Sequence, residues 1–323
     1  IALLGGCTST SVTEKYQDKR NDIINVKDKV IEFETGNVLI GSVSRLYMSN
    51  KCLLIADHKS VDKQIHIFNK NDFSYLTSIG NFGEGPEEIT VMGCLAIDEA
   101  HHQLYVSDHA KQKIFSYDMD SVMVDSLYKP QVKTAMNETL FPSEYQYIND
   151  TLSIAVLIKP TSTSTFNQFL GRWNMNTGEM IPMKYTHPDI QKKRITFAAS
   201  EKAGIYVECY TRHDLMTICS LDGELLYNIY GPDWDGGNGN KLQSFGTVMI
   251  GNDKIFVSYC GEDYARDSFP TKILVFDLEG NYLKTLETGY KISDCCYDSF
   301  NNRIILSLND VVQFAYLDID GII

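Results

Sequence analysis

Residues 80–118 read GNFGEGPEEITVMGCLAIDEAHHQLYVSDHAKQKIFSYD, and this stretch decides the fold. A glycine-rich connector at 80–86 leads into three short apolar runs. CLAI at 94–97 ends on Asp98, LYV at 104–106 ends on Ser107 and Asp108, and IFSY at 114–117 ends on Asp118. Each run has strand length, β-branched or aromatic content, and polar turn residues at both ends. Only a few residues connect them, so neighbouring runs must pair antiparallel. The unit is a β-meander.

The meander recurs along the chain. Its second strand aligns with LLI at 53–55, LYV at 104–106, LSI at 152–154, IYV at 205–207, IFV at 255–257 and IIL at 304–306. Successive anchors are roughly fifty residues apart, the span of a propeller-blade repeat. A third run, a polar turn and a fourth run complete the unit, as in ILVF at 273–276, DLEG at 277–280 and YLKTL at 282–286. Six four-stranded antiparallel units in tandem predict an all-β, six-bladed β-propeller, in which radial repetition leaves few exposed sheet edges.

The segment 94–118 resembles an NHL repeat: an apolar run ending in Asp, a short turn, an apolar-aromatic run ending in Asp, a basic linker and an Ile-x-x-Tyr/Phe strand. Asp98 and Asp298 match the first Asp of that pattern, and Asp57 and Asp108 match the second. The connector Gly83-Glu84-Gly85-Pro86 is similar to one in six-bladed propeller lipoproteins of the Bacteroidetes. The resemblance covers nearly the whole chain and is weakest in the third and fourth blades. It implies a fold, while propellers host binding and catalysis alike.

The net charge of −13 over 323 residues argues against a nucleic-acid partner, as does a longest Lys/Arg run of three, Lys192-Lys193-Arg194. No stretch of about twenty apolar residues is present, so no spanning helix is expected. The chain opens Ile1-Ala2-Leu3-Leu4-Gly5-Gly6-Cys7, which looks like the end of a lipoprotein signal peptide. By that resemblance Cys7 is the acylated residue, membrane contact is by lipid anchor only, and the protein belongs to the bacterial cell envelope, periplasm-facing. Residues 1–28 read as signal remnant and polar tether, and 29–323 as the propeller. Of the other cysteines none forms C-x-x-C, and most lie in or beside strands, as small buried hydrophobes do. Cys209 and Cys219 flank a short hairpin and could face each other across it.

Only Ile322 and Ile323 follow the last turn, too little for an outer strand. Residues 30–34 are therefore expected beside the run at 312–317, closing the ring. The connections are unequal. Turns joining first to second and third to fourth strands are short (98–103, 118–121, 221–224). The long segments are crossovers between blades (80–93, 129–143, 184–194, 231–246) and loops between second and third strands (159–167, 260–272). In a propeller these long segments share one face, and loops placed by a rigid scaffold are where binding residues concentrate.

Candidate chemistry is sparse. Asp57-His58, Asp108-His109 and His213 follow second strands, where imidazoles can bind metal or shuttle protons, but the fourth blade lies across the ring from the first two. The Asp residues also suit turn capping. Gly83-x-Gly85-Pro86 lacks the lysine and helix of a phosphate loop. Residues 233–238, DWDGGN, have the composition of a calcium loop without its closing acid. The pairs Glu87-Glu88 and Glu262-Asp263, with His101-His102, read as solvated surface, and neither G-x-S-x-G nor H-E-x-x-H occurs. The inner strands offer Arg45, Tyr47, Tyr145, Tyr147 and Asp294 but no histidine, and the longest loop adds Tyr264 and Arg266. Arginine and aromatic side chains are the usual anchors of binding sites. The expectation is a monomeric, non-catalytic propeller without cofactor that binds a protein or a small polar ligand through Arg45, Tyr47, Tyr145, Tyr147, Tyr264 and Arg266. The alternative is a metal-dependent hydrolase or lyase with its site in the channel.

Overall fold

The computed structural model describes residues 12–323 except Ser126 and Asn240, and Cys7 lies outside that range. Three short strands come first: β1 (Glu14–Tyr16), β2 (Ile23–Asn25) and β3 (Val30–Glu32). Blade 1 is β4 (Ser44–Met48), β5 (Cys52–Asp57), β6 (Lys63–Asn69) and β7 (Tyr75–Asn81). Blade 2 is β8 (Met92–Asp98), β9 (Gln103–Asp108) and β10 (Lys113–Asp118), then the helix α1 (Met119–Val124) and β11 (Gln131–Ala135). Blade 3 is β12 (Phe141–Asn149), β13 (Leu152–Pro160), β14 (Phe166–Trp173) and β15 (Met180–Pro182). Blade 4 is β16 (Ile195–Ser200), β17 (Ile205–Tyr210), β18 (Leu215–Ser220) and β19 (Leu225–Tyr230). Blade 5 is β20 (Leu242–Gly251), β21 (Lys254–Asp263), β22 (Lys272–Asp277) and β23 (Tyr282–Glu287). Blade 6 is β24 (Ile292–Asp298), β25 (Arg303–Leu308) and β26 (Phe314–Asp318), with β3 as its outer strand.

The ring closes as its two ends require. Val30, Ile31 and Glu32 pair antiparallel with Leu317, Tyr316 and Ala315. Phe33 then stacks on Phe73 of blade 1 at 3.9 Å between centroids and packs on Phe314 of blade 6 at 5.9 Å, so the seam is apolar as well as hydrogen-bonded. Each blade is buried on both faces, which is why the middle strands read as unbroken apolar runs rather than alternating ones. Six apolar clusters form the core, each lying between two neighbouring blades.

Two expectations need correction. Residues 14–25, read as tether, instead strap the rim. β1 runs parallel along β19 and β2 parallel along β23, adding a fifth strand to blades 4 and 5. Backbone hydrogen bonding along otherwise open sheet edges holds this segment, with Ile24 packed on the core between blades 5 and 6 and Tyr16 stacked on Tyr230. Second, not all elaboration falls on one face. The third-to-fourth-strand connection of blade 2 is not a short turn but α1, whose first turn is capped by Asp118 accepting the Ser121 N–H at 2.8 Å. The fourth strand β11 occupies residues expected as crossover. Strand register sets Met216 opposite Cys209 and Tyr206 opposite Cys219, so those two thiols do not meet. Both are free and buried, as are Cys52, Cys94, Cys260, Cys295 and Cys296.

Candidate functional site: the axial channel and its mouth

The innermost strands of all six blades surround an axial cavity of about 370 Å³. Polar side chains tie these strands across blade boundaries. Asp294 on β24 accepts the Leu46 N–H of blade 1 at 2.8 Å and the Thr247 hydroxyl of blade 5 at 2.7 Å. Gln146 on β12 accepts the Ala199 N–H of blade 4 at 2.6 Å, and Thr196 on β16 donates to the Gly246 carbonyl of blade 5. These bonds fix the channel wall. Burial pushes the Asp294 carboxyl above its ordinary range, against the pull of Arg45 and of its own hydrogen-bond donors.

Arg45, second residue of β4, forms an ion pair with Glu144 of β12 at 2.9 Å, each side chain about 40% exposed. A strand enters the axis from its crossover, so early residues of first strands lie toward the crossover end. The pair therefore spans blades 1 and 3 at that mouth. Glu144 went unnoticed in the sequence because it precedes the run taken as strand. Extending β12 to its full length is the signal that would have found it. Tyr47 and Tyr145 lie in the same wall with their hydroxyls buried. Tyr145 is also a packing residue, edge-on to Trp173 at 5.0 Å. Burial raises the pKa of both tyrosines and pushes the Cys94 thiol up to about 12. Tyr147 lies at the opposite end, its hydroxyl donating to Asp150 at 2.6 Å.

Tyr264 and Arg266 stand apart from the channel, in a single 3-10 turn (Tyr264–Arg266) beyond the β20–β21 ribbon. Arg266 pairs with Glu262 at 3.2 Å, and the Arg212 guanidinium lies over the Tyr264 ring at 3.0 Å. The structure thus brings Arg45, Tyr47, Tyr145 and Tyr147 around one cavity and leaves the other two on a separate loop.

The remaining sequence candidates resolve into local roles. Asp57 accepts the N–H groups of Gly41 (2.7 Å) and Lys59 (3.0 Å), and Asp108 accepts those of Thr90 (2.8 Å) and Ala110 (3.0 Å). Both cap loops. The His58 Nδ1 is 3.2 Å from the Met92 carbonyl oxygen, and His109 packs edge-on to Phe141, so the two imidazoles lie in different blade interfaces. Burial lowers the pKa of both. In the 233–238 loop, Asp235 accepts the Gly237 and Gly239 N–H groups and Asp233 accepts the Tyr259 hydroxyl. These carboxylates serve the loop itself. On the opposite face, His101 is more than solvated surface: its Nδ1 is 2.8 Å from Asp98 and 3.9 Å from Asp150. Asp98, His101 and Asp150 are the one metal-capable trio among the described residues. The Tyr105 and Tyr147 hydroxyls already donate to its two carboxylates.

Among the described residues no helix is long and apolar enough to cross a membrane. A family profile described as DUF5128, 6-bladed beta-propeller, matches residues 9–168, just short of half the chain. No curated protein matches the sequence. Similar solved structures include a Bacteroides fragilis protein described as exported, 14% identical, covering 91% of this chain and 87% of that one at a TM-score of 0.57. A DUF4221 family member from Bacteroides vulgatus is 11% identical over 93% of this chain and 98% of its own, at 0.59. A luciferin-regenerating enzyme is 8% identical over 89% and 94%, at 0.58. At these identities the likeness is one of fold.

Proposed function

We propose that the chain is a non-catalytic propeller that binds a small polar ligand or a protein segment on the face carrying the crossovers and the loops between second and third strands. A lipid anchor on Cys7 would hold it in the bacterial cell envelope. The observation that carries the binding reading is the state of the channel's reactive groups. Both Asp294 oxygens are engaged, Glu144 is paired, and burial pushes the Cys94 thiol and the two buried tyrosines further from ionisation. A thiol or phenol that acts as nucleophile or base needs a pKa near the working pH, and these are moved away from it. An Arg–Glu pair at the mouth of a concave site instead offers both signs of charge to a polar ligand. The likeness to a luciferin-regenerating enzyme shares the fold and transfers no chemistry.

The test is hydrogen exchange on the protein with and without polar compounds that raise its melting temperature. Protection should appear in the crossovers, in the loops and at the start of β4 and β12. Arg45→Ala should weaken binding. Tyr264→Ala with Arg266→Ala should do so only for a partner large enough to reach that loop, while shifting stability by no more than about 0.5 kcal/mol. Protection confined to the opposite face, or turnover of ester or lactone substrates that depends on Asp294, would overturn the reading.

A further inference from the structure

A second cavity, of about 740 Å³, opens on the same face beside blade 4. Its walls come from the crossover ending in Lys192 and Arg194, from Arg212 and His213 between β17 and β18, and from the glycine-rich segment at 236–239. The chain as a whole has 42 acidic side chains to 29 basic ones, yet this lining carries three cations and one carboxylate, Asp189. Among the described residues Lys192, Arg194 and Arg212 have no carboxylate within ion-pair distance, whereas the intervening Lys193 turns inward to the buried Glu208 at 2.7 Å. Like charges gathered without counter-charge repel, so the arrangement is one that an anion would relieve.

Two further features border the cavity. His213 is 7% exposed, and its Nδ1 is buried without a hydrogen-bond partner, the nearest carboxylate oxygen, on Asp235, lying 3.7 Å away. The wall facing it is bare backbone. A Cβ on Gly239 would lie 1.8 Å from the His213 ring and one on Gly237 would lie 2.7 Å from the Asp189 carbonyl oxygen. The amides of Gly237 and Gly239 are already taken by Asp235, so the cationic side chains, not the loop N–H groups, would hold the ligand.

We infer that this cavity binds the phosphate or sulfate ester group of a small molecule. Arginine forks match such oxyanions bidentately, and lysine adds a mobile point charge. The concave shape and volume suit a small molecule rather than an extended chain. Arg212 is held over Tyr264, so one cation is positioned before the ligand arrives and the exposed Lys192 and Arg194 close on it. The inference rests on the face assigned above and adds a site and a ligand class to it.

The test is calorimetric titration of the protein with glucose 6-phosphate, glucose 6-sulfate and glucose. At least one ester should bind with an affinity that falls as sodium chloride is raised, and glucose should give no signal. Comparison of the two esters identifies the source of the oxyanion. Lys192→Ser with Arg194→Ser should weaken the binding about tenfold or more with an unchanged melting temperature. Arg45→Ala, in the channel, should leave it unchanged. Failure of both esters at millimolar concentration, or undiminished binding by the double variant, would overturn the inference. Loss in the Arg45 variant alone would also overturn it, while leaving the binding face standing.

Discussion

Asp294 shows how a single carboxyl can stiffen a channel. It joins the inner strands of blades 5, 6 and 1, and burial raises its pKa. A carboxyl whose folded pKa lies above its unfolded value keeps its proton longer in the native state. Its contribution to stability therefore falls as pH rises from the unfolded pKa through the folded one. Asp294→Asn removes that titration and adds a constant offset, because an amide presents a donor where the carboxylate presented only acceptors. Urea unfolding across mildly acidic to neutral pH should show the wild type losing ground to the variant as pH rises. A constant gap at every pH would refute the assignment.

Among the elements, the strap is the least conventional. Its Glu14 accepts from Asn228 and Tyr230, its Lys15 donates to the Glu279 carbonyl at 2.7 Å, and its Arg20 reaches Asp214 at 2.7 Å. Arg20 and Asp214 are both buried, and the guanidinium lies 5.6 Å from the ring centroids of Phe245, Tyr259 and Phe276. Arg20→Ala leaves Asp214 buried without its partner, a loss of about 3–5 kcal/mol. The loss should be larger at neutral pH than in mild acid, where the orphaned carboxyl takes up a proton. Thermal melts of the variant at the two pH values check this, and a melting temperature equal to wild type would mean the strap adds nothing.

The strap also marks where the sequence stops being legible. Four-stranded blades announce themselves because each middle strand is buried on both faces, and IFV at 255–257 can be little else. β1 and β2 are three residues each, too short for an alternation to stand out, and their partner strands lie far along the chain. The helix α1 spans six residues with one buried side chain, Val122, so its sequence looks like the turn it replaces. In the channel, Arg45 and Tyr47 were visible from strand position, but the Glu144 partner lies 99 residues away and only the ring brings it near. Lys192 and Arg194 were visible as a run, but their meeting with Arg212 needs the fold.

For the whole molecule, the proposed lipid anchor is the property that a single thiol tests. Acylation needs the Cys7 sulfur, so Cys7→Ser in a protein carrying a full signal sequence should move it from the membrane fraction to the soluble one. Two or three acyl chains give stable anchoring and one gives only reversible binding, so an all-or-nothing shift is expected. Retention of the variant through high salt and carbonate washes would exclude this anchor.

The closing seam has a consequence in time. β3 is made long before its partner β26, so from residue 32 until residue 314 has been made the ring has no second end to meet. Pairing across so long a separation is slow. The five blades made first can pair within themselves, but the channel exists only after the final meander arrives. Any ligand that needs the complete axis thus reports on finished chains alone, and an unfinished one is left as an open arc with two apolar flanks.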